Sequence, residues 1–248
     1  WSSDVCSSDL KFNPSSNTKN KVFQLQLLSK ALGHLPVCQI YVQDTEADDI
    51  IAYLVKRRFQ TEDCTKIVIS SDKDFYQLLE DKSIRIFDPA KKILIDSAYV
   101  LEKFNVSARN ITLARSVIGD VSDNLDGVPG VGFKTLASRF KDFAREDVDL
   151  DQAWLLEAAN NEIKANKKAP KCFIDIVSHS SVVARNWQLM YLDTSCLASN
   201  QISKVDYKVE NFQPVADKLN FIKTFTAADI PLTNDLDFTF SMAKTLIR

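Results

Sequence analysis

The sequence predicts an α/β fold, in which a mostly parallel sheet is covered by helices and followed by a mostly helical region. Three observations lead to this prediction. Short β-prone runs alternate with helical patterns between residues 37 and 104. Acidic residues follow two of these runs at the points where the strands end. From residue 136 onward, the spacing of apolar residues is mostly helical.

The composition is that of an ordinary globular protein. The chain has 248 residues, of which 45% are hydrophobic, and its net charge of -2 argues against a purely electrostatic nucleic-acid coat. The 5 cysteines are widely scattered and form no C-x-x-C pair, which suits reduced thiols, and the 2 distant histidines argue against a zinc site. No apolar run is long enough to span a membrane.

The first ten residues differ in character from the rest of the chain. Residues 1–10, WSSDVCSSDL, read in frame as the translation of a common sequencing adapter, and we interpret them as an artefact. A genuine polar tail is the alternative. On the artefact interpretation, the true gene began further upstream and the chain is a fragment. Residues 11–21 are polar, and we expect them to be poorly ordered.

The elements follow in order along the chain. Helical spacing predicts a helix over residues 22–32, which Gly33 ends. Strands are predicted over residues 37–42, 66–70, 84–87 and 92–95. Thr45, with Asp48 three residues later, is predicted to cap the next helix. Further helices are predicted over residues 97–104, 111–118 and 211–226, whereas residues 187–192 fit either a strand or a helix.

Three acidic groups stand at comparable places along the predicted core. Two follow predicted strands and the third follows a helix; their members are Glu46, Asp48, Asp49, Asp72, Asp74, Asp120 and Asp123. Since the carboxyl ends of parallel strands share one edge of a sheet, we expect these side chains to converge. Grouped carboxylates repel one another, and Mg²⁺ relieves that repulsion with an oxygen-only ligand set. Taken singly, each group is also explained as helix-end decoration or an N-cap.

A glycine-rich stretch follows the last acidic pair. Residues 119–132 contain four of the 5 glycines, and the stretch opens onto a predicted helix at about Phe133. Free N–H groups at such a turn bind a phosphate. The candidate contacts to a nucleic-acid backbone are Gly127, Gly130, Val131, Gly132, Lys134 and Thr135, and a second basic patch comprises Lys164, Lys167, Lys168 and Lys171. An acidic loop with a plain glycine turn is the alternative.

Three segments carry a resemblance to a known family. TEADDIIAYL, ISSDKDFYQLL and GDVSDNLDGVPGVGFKTLA resemble, in the right order, successive motifs of the flap endonuclease/5′–3′ exonuclease family. The sequence is most similar to stand-alone bacteriophage 5′ nucleases of the phage ribonuclease H type and to the 5′ nuclease domain of bacterial DNA polymerase I. The resemblance covers residues 22–140, and RNWQLMYLD at residues 185–193 resembles the returning C-terminal segment of the phage members.

The resemblance implies both an architecture and a site. It implies a PIN-like 5′ nuclease core at residues 11–115, with the end of a helical arch at residues 20–33. A helix–three-turn–helix element and a mostly helical region would follow at residues 116–248. All seven acids would be catalytic and would bind two Mg²⁺ ions, for which Mn²⁺ could substitute. A K⁺ ion would sit on the carbonyls of the glycine turn.

The resemblance also implies a substrate and a setting. The substrate would be duplex DNA or RNA–DNA with a 5′ end or flap, and the reaction would remove primers or flaps during replication. A single-strand-binding protein or a polymerase of the replication machinery would be the protein partner. The setting would be the cytoplasm of a bacterial or phage-infected cell.

The sequence departs from the family at its front. Family members begin with strands that carry two further aspartates, followed by a basic arch, and nothing upstream of residue 22 supplies these. We therefore expect the first strands to be missing and the chain to be weakly active or inactive. One alternative is a duplex-DNA-binding relative without chemistry, against which the full set of seven acids argues. Another is a single-strand ribonuclease of the same α/β type, which the glycine turn disfavours.

Overall fold

The structure is a computed structural model, and it describes residues 17–61, 63–232 and 235–247. These residues divide into two compact units, one of residues 46–196 and the other drawn from residues 1–45 and 197–248. The division expected at residues 115 and 116 stays a prediction. The interpretation of residues 1–10 falls outside the described part of the chain.

The unit of residues 46–196 contains a three-stranded sheet of β1 (Lys66–Ile69), β2 (Ile84–Asp88) and β3 (Ile93–Ile95), in that order. β1 and β2 are parallel, whereas β2 and β3 are antiparallel. The connection from β2 to β3 is only four residues long, which allows a hairpin but no crossover. The predicted α/β fold is confirmed, and one of the two strand pairings in this sheet, rather than most, is parallel.

The helices account for most of the remaining described residues. They are α1 (Asn17–Leu32), α2 (Ala47–Tyr53), α3 (Ser97–Phe104), α4 (Ile111–Ile118), α5 (Phe133–Arg139), α6 (Gln152–Ala165), α7 (Lys171–Ser178), α8 (Ser180–Met190), α9 (Ser199–Glu210), α10 (Lys218–Thr226) and α11 (Leu236–Thr245). A π-helical turn, Leu54–Arg58, continues α2, and 3₁₀ helices cover Asp74–Glu80 and Lys141–Ala144. A two-stranded hairpin of β4 (Gly119–Asp120) and β5 (Leu125–Asp126) follows α4.

The core of this unit lies on one face of the sheet. Ile84, Ile86 and Ile95 are fully buried there, and Val68 of β1 joins them. The 3₁₀ helix after β1 packs on the same core, and α4 runs through it with every residue from 111 to 117 buried. The opposite face of β1 carries Ile67 and Ile69, which are exposed. The apolar residues of β1 therefore predict the strand correctly, but only one of its two faces is buried.

Several predictions of local structure are wrong in detail. Residues 37–42 form no strand, because no described strand pairs with them. Thr45 caps no helix: Glu46 is the N-cap of α2 and makes no side-chain cap bond, while the Thr45 hydroxyl donates to the Gln43 carbonyl. Residues 17–21, expected to be poorly ordered, belong to α1.

Two later predictions also change: one ambiguous segment is the end of a helix, and one predicted helix is shorter than expected. Residues 187–190 are the last turn of α8, which settles the ambiguity of residues 187–192 in favour of a helix end. The helix expected over residues 211–226 begins only at Lys218. Pro214 lacks a backbone N–H, and Asp217 caps α10 by accepting a hydrogen bond from the Asn220 N–H at 3.0 Å.

The second unit is held together by contacts distant in sequence. α1 packs against α10, and the Asp217 N–H donates to the His34 carbonyl at 2.9 Å. The Gln201 amide donates to Thr45 Oγ1 at 2.7 Å, which ties α9 to the segment before α2. None of the described helices combines the length and apolar character that crossing a membrane would require.

Candidate active site

A cleft of about 720 Å³ in the unit of residues 46–196 brings six acidic side chains together. They are the predicted site residues Glu46, Asp48, Asp49, Asp72, Asp74 and Asp123. The end of α8 and the residues after it, from Trp187 to Asp193, form another wall of this cleft. The seventh predicted acid, Asp120, does not line it.

The acids that follow β1 are placed by a tight local turn. The Asp72 N–H donates to Ser70 Oγ at 3.1 Å, and Asp72 Oδ1 accepts from the Asp74 N–H at 2.8 Å. Such turns are typical of aspartate, whose short side chain replaces a backbone acceptor. The turn ends β1 and starts the 3₁₀ helix, so both carboxylates emerge at the end of the strand.

The buried guanidinium of Arg115 links two of the acids. Its Nη1 lies 2.8 Å from Asp74 Oδ1, and its Nη2 donates to Asp120 Oδ2 at 2.6 Å. Burial raises the pKa of Asp74 to about 6, although the positive charge of Arg115 opposes the shift and neighbouring carboxylates add to it. Arg115 therefore partly offsets the cost of holding a carboxylate inside the cleft.

Asp120 faces a neighbouring cavity of about 340 Å³, which Lys73 and Arg115 also line. Burial tends to raise the pKa of Asp120, but hydrogen bonds from the Ser122 hydroxyl and N–H and the charge of Arg115 outweigh it and hold the pKa below its usual range. These bonds turn the carboxylate away from the six-acid cleft. Sequence reasoning missed this orientation because it depends on Arg115, which lies on α4.

The acids at the start of α2 repel their neighbours. Burial raises the pKa of Asp48, and the negative charges of Asp72, Glu46, Asp49 and Asp123 raise it further. Burial also raises the pKa of Asp49, with added repulsion from Glu46 and Asp193. The shifts show that carboxylates from three segments of the chain lie close enough together to repel one another.

Two buried amides hold the walls of the cleft together. Gln77 donates to the Asp74 carbonyl at 2.7 Å and to the Met190 carbonyl at 2.9 Å, and its Oε1 accepts from the Leu192 N–H at 3.0 Å. Asn186 donates to the Ser116 carbonyl at 3.0 Å and to the Asp126 carbonyl at 2.8 Å. α8 is thereby fixed both to the turn that carries Asp74 and to the hairpin that precedes the glycine turn.

The glycines between residues 119 and 132 serve two different purposes. A Cβ on Gly127 would lie 2.0 Å from the Ile118 carbonyl oxygen, so this glycine permits close packing. A Cβ on Gly130 or Gly132 would meet nothing within 4 Å, so their backbone lies open. Val131 is buried, which leaves only its backbone for a ligand, whereas Lys134 on α5 is exposed and Thr135 is half-buried.

The donor chemistry of the cleft fits a hard divalent cation. All six acids offer oxygen ligands, and a bound cation would offset the burial and the carboxylate repulsion that raise the pKa values of Asp48, Asp49 and Asp74. Among the described residues, however, no three His, Cys, Asp or Glu side chains stand close enough together to hold one ion directly. The spacing suits an ion such as Mg²⁺, which keeps several of its waters and takes few protein ligands.

Sequence reasoning missed several residues that shape this cleft. Arg115, Gln77 and Asn186 lie inside helices, and nothing in the local sequence marks their contacts with distant segments. Asp193 had a signal, because it is the last residue of the segment RNWQLMYLD, which resembles the returning segment of phage nucleases. Hydrogen bonds from the Ser195 side chain and backbone hold the pKa of Asp193 below its usual range.

A sheet that is packed against helices on one face and carries acidic residues beyond its strands defines the class of this molecule, a resolvase-like, PIN-type α/β fold. Residues 11–105 match the family model described as "5'-3' exonuclease, N-terminal resolvase-like domain". The chain is therefore similar to the flap endonuclease/5′–3′ exonuclease family, as its motifs predicted, and its relatives are 5′–3′ exonucleases and DNA polymerases I.

Two sequence relatives illustrate the similarity. The chain is 35% identical over 148 residues to DNA polymerase I of Treponema pallidum, which covers 58% of this chain and 15% of that protein. It is 32% identical over 125 residues to a 5'-3' exonuclease of Streptomyces coelicolor, covering 48% of this chain and 40% of the relative. The chain thus spans less than half the length of either relative.

Two solved structures share the fold. A phage T5 protein co-crystallised with metal ions superposes with a TM-score of 0.60 at 20% identity, covering 83% of this chain and 74% of that chain. The bacteriophage T5 flap endonuclease in a pseudo-enzyme-product complex with DNA and metal ions gives 0.54 at 20% identity, with 87% and 73% covered. At this level of identity, the likeness establishes the fold alone.

Proposed function

We propose that the chain is the acid-bearing part of a structure-specific 5′ nuclease, a 5′–3′ exonuclease or flap endonuclease. The reaction would be hydrolysis of phosphodiester bonds in DNA or RNA–DNA at 5′ ends, flaps or primers, leaving 5′-phosphates. The observation that carries this proposal is the cleft that gathers six carboxylates from three segments, where burial and neighbouring negative charges raise the pKa values of Asp48, Asp49 and Asp74. The similarity to 5′–3′ exonucleases supports it.

The acids of the cleft would hold two Mg²⁺ ions, for which Mn²⁺ could substitute. When bound, such ions activate a water and stabilise the departing 3′ oxygen. The chain itself would supply the oxygen ligands. These would come from Glu46, Asp48, Asp49, Asp72, Asp74 and Asp123. Asp120 would act with them only if its bonds to Arg115 and Ser122 were exchanged for the metal. Arg115 meanwhile keeps the Asp74 carboxylate in place.

The glycine turn would grip one strand of the duplex. The open backbone at Gly130 and Gly132, together with the exposed Lys134 and the neighbouring Thr135, offers N–H groups and a positive charge to phosphates. A K⁺ ion on the carbonyls of the turn would belong to the same element. Gly127 would contribute by packing rather than by contact, because its Cα lies against Ile118.

The setting follows from the same reasoning. A nuclease of this kind would remove primers or flaps during replication, in the cytoplasm of a bacterial or phage-infected cell. A single-strand-binding protein or a replicative polymerase would be its partner.

A second candidate function is that of a duplex-DNA-binding relative that catalyses no reaction. It is favoured by the finding that, among the described residues, no three His, Cys, Asp or Glu side chains stand close enough together to hold one ion directly.

The test compares cleavage with binding on one 5′-flap duplex. The chain and its Asp74→Asn and Glu157→Gln variants would be assayed for cleavage in Mg²⁺ and for binding in Ca²⁺. Glu157 is an exposed carboxylate on α6 and serves as the matched control. Because the carboxylates are not yet at ligand spacing, we expect cleavage slower than about one event per second.

The outcomes separate the two candidate functions. Slow Mg²⁺-dependent cleavage that Asp74→Asn abolishes and Glu157→Gln retains would support the nuclease. Binding in Ca²⁺ without any cleavage in Mg²⁺, even with enzyme in excess over substrate, would favour the non-catalytic binder. Cleavage that persists in Asp74→Asn would show that the acidic cleft is not the active site.

A further inference from the structure

The cleft that holds the acids has a second wall of different chemistry. The indole of Trp187 and the ring of Tyr191 stack on each other, with ring centroids 4.4 Å apart and planes inclined by 13°. Both rings line the cleft together with Leu189. Carboxylates and a flat aromatic surface therefore face one common space.

One ring of this aromatic pair is exposed and the other is packed in place. Tyr191, directly after α8, is 39% exposed, and Leu189 of α8 is 63% exposed, whereas Trp187 is half-buried and packs against the hydrophobic core. The Tyr191 hydroxyl makes no hydrogen bond to any residue in the described part of the chain, so no polar contact explains its position. The backbone N–H of Tyr191 donates to the Trp187 carbonyl at 2.9 Å, and this last helical bond sets the ring stack.

The pair also stands between two cavities. Trp187 and Tyr191 line a second cavity of about 260 Å³ on the other side, whose wall includes Arg109 and Thr112. Arg109 is only partly exposed and lies at the edge of pairing distance from Glu80, with 4.0 Å between Nη2 and Oε2. Asp149 and Asp151 line the same cavity, so a chain running past the aromatic pair would leave the acidic cleft and meet one arginine and two further carboxylates.

We infer that Trp187 and Tyr191 form a base-stacking platform for one unpaired nucleotide of the substrate, next to the acidic cleft. This inference rests on the proposed nuclease function. Every nucleobase has a flat π-face, and stacking on an exposed aromatic ring is tolerant of sequence. The carboxylates would hold the phosphate of that nucleotide through bound cations, while the aromatic wall holds its base.

The choice of a nucleobase over an apolar protein segment rests on charge. A peptide placed on this wall would leave six carboxylates unpaired in the same cleft, which costs free energy. A nucleotide that brings cations with its phosphate removes that cost. The platform is a positioning device, because it contacts the substrate away from the bond to be cleaved.

The test uses a duplex with a single-stranded 5′ tail in Ca²⁺, measured by fluorescence anisotropy. A single abasic site is moved along the tail, so that one base at a time is absent. With the unmodified chain, we expect one tail position at which the abasic site weakens binding by about tenfold. With Tyr191→Ala, binding of the intact tail should weaken by a similar factor, and the abasic site should have no further effect at that position.

Three controls separate stacking from a structural role. Tyr191→Phe keeps the ring and should preserve the abasic profile. Tyr191→Leu keeps apolar bulk over Trp187 but lacks a π-system, and it should behave like Tyr191→Ala if the variant folds as the parent does. Tyr207→Ala removes a more exposed tyrosine from α9, which does not line the cleft, and should leave the profile unchanged.

The possible outcomes have distinct meanings. A flat abasic profile with the unmodified chain, or the same profile in Tyr191→Ala, overturns the platform while leaving the nuclease proposal intact. Failure of any tailed duplex to bind overturns both. A position-specific loss that disappears in Tyr191→Ala and Tyr191→Leu and returns in Tyr191→Phe supports the platform, even if no cleavage is seen in Mg²⁺.

Discussion

Arg115 shows how one buried cation organises an acidic site. It is 5% exposed, and its guanidinium contacts carboxylates of two segments that meet at the cleft and at the cavity beside it. A buried charge without a partner is very costly, so each carboxylate depends on the arginine for its place. The arginine is as important for the shape of the site as the acids that the motifs identify.

Removing this guanidinium should destabilise the fold strongly. We expect Arg115→Met to lower the free energy of unfolding by about 3 kcal/mol, because Asp74 and Asp120 lose their buried partner. Urea denaturation measures the change. Arg145→Met is the matched control, since Arg145 also pairs with two aspartates but is half exposed. Equal losses in the two variants would contradict the role given to Arg115.

Asp74 should make the metal-free protein sensitive to pH. Its pKa is raised from the unfolded value of about 4 to about 6, so its stabilising contribution is complete below about pH 4 and is lost as the pH rises through 6. In EDTA, thermal unfolding should therefore show that the stability of the protein falls between pH 4 and pH 7. The fall should be less steep in the Asp74→Asn variant. Mg²⁺ should restore stability at pH 7 more than at pH 5, because it binds the deprotonated acid.

The sequence predicted that these acids converge, and six of the seven line one cleft, but it did not predict their partners. Strand ends and turn residues have local signatures, so Asp72 and Asp74 could be predicted to emerge together. The bonds of Arg115, Gln77 and Asn186 join residues up to 115 positions apart, and such pairings are set by the fold rather than by local sequence. The bond from Arg115 to Asp120 spans only five residues, but it depends on the path of the chain from α4 into β4, which local sequence patterns do not report.

At the scale of elements, the sequence predicted a helix or strand correctly where the signals that stabilise it lie within the element itself. Helices α3 and α4 have the predicted bounds, since Asp96 caps the first and every residue of the second from 111 to 117 is buried. Residues 37–42 have the composition of a strand but no described partner strand. β-structure requires a neighbour, and single-sequence patterns do not report whether one is present.

The hairpin from β2 to β3 depends on one carboxylate. Asp88 is buried and accepts hydrogen bonds from the Ser71 hydroxyl, the Ala90 and Lys91 N–H groups and the Lys91 ammonium, and the Lys91 bond above all lowers its pKa to about 2. The contribution of this group is present above about pH 4 and is lost as the pH falls through 2.

We therefore expect Asp88→Asn to be less stable at neutral pH and to lose less stability on acidification between pH 4 and pH 2. Far-ultraviolet circular dichroism during acid titration, at several urea concentrations, measures both effects. Glu102→Gln on α3, which removes an exposed carboxylate, should leave the acid limb unchanged. An acid limb in Asp88→Asn as steep as that of the parent would contradict the assignment.

The glycine turn should be tested by its salt dependence. Lys134→Ala should weaken duplex binding about equally for all sequences and reduce the slope of log affinity against log salt by about 1. Lys167→Ala, in the exposed basic patch between α6 and α7, is the comparison. If only Lys167→Ala changes the slope, the grip on the backbone lies in that patch instead of the glycine turn.

On the scale of the whole molecule, the sheet leaves an apolar face uncovered. Ile67 and Ile69 of β1 are 55% and 71% exposed, and Leu94 of β3 is 56% exposed on the same face. Among the described strands, β1 pairs only with β2, so its other edge is unpaired. Exposed apolar edges of this kind promote association.

We expect the chain to self-associate at high concentration through this face. Ile69→Lys should shift sedimentation profiles toward the monomer, because a charge at the edge opposes pairing of strands. Leu219→Lys changes a similarly exposed leucine on α10 and should have little effect. A concentration dependence that is the same in both variants and the parent would exclude the sheet face as the contact.

The hairpin of β4 and β5 offers an opportunity for spectroscopy. Gly119 and Gly127 close its base so tightly that neither accepts a Cβ, whereas Val121 between them is 98% exposed. In a variant whose 5 native cysteines are replaced by serine, a cysteine introduced at Val121 would thus carry a dye on a rigid base, beside Asp120 and two residues from Asp123. Such a dye would report the arrival of a cation or a nucleic acid in real time, without a label on the ligand.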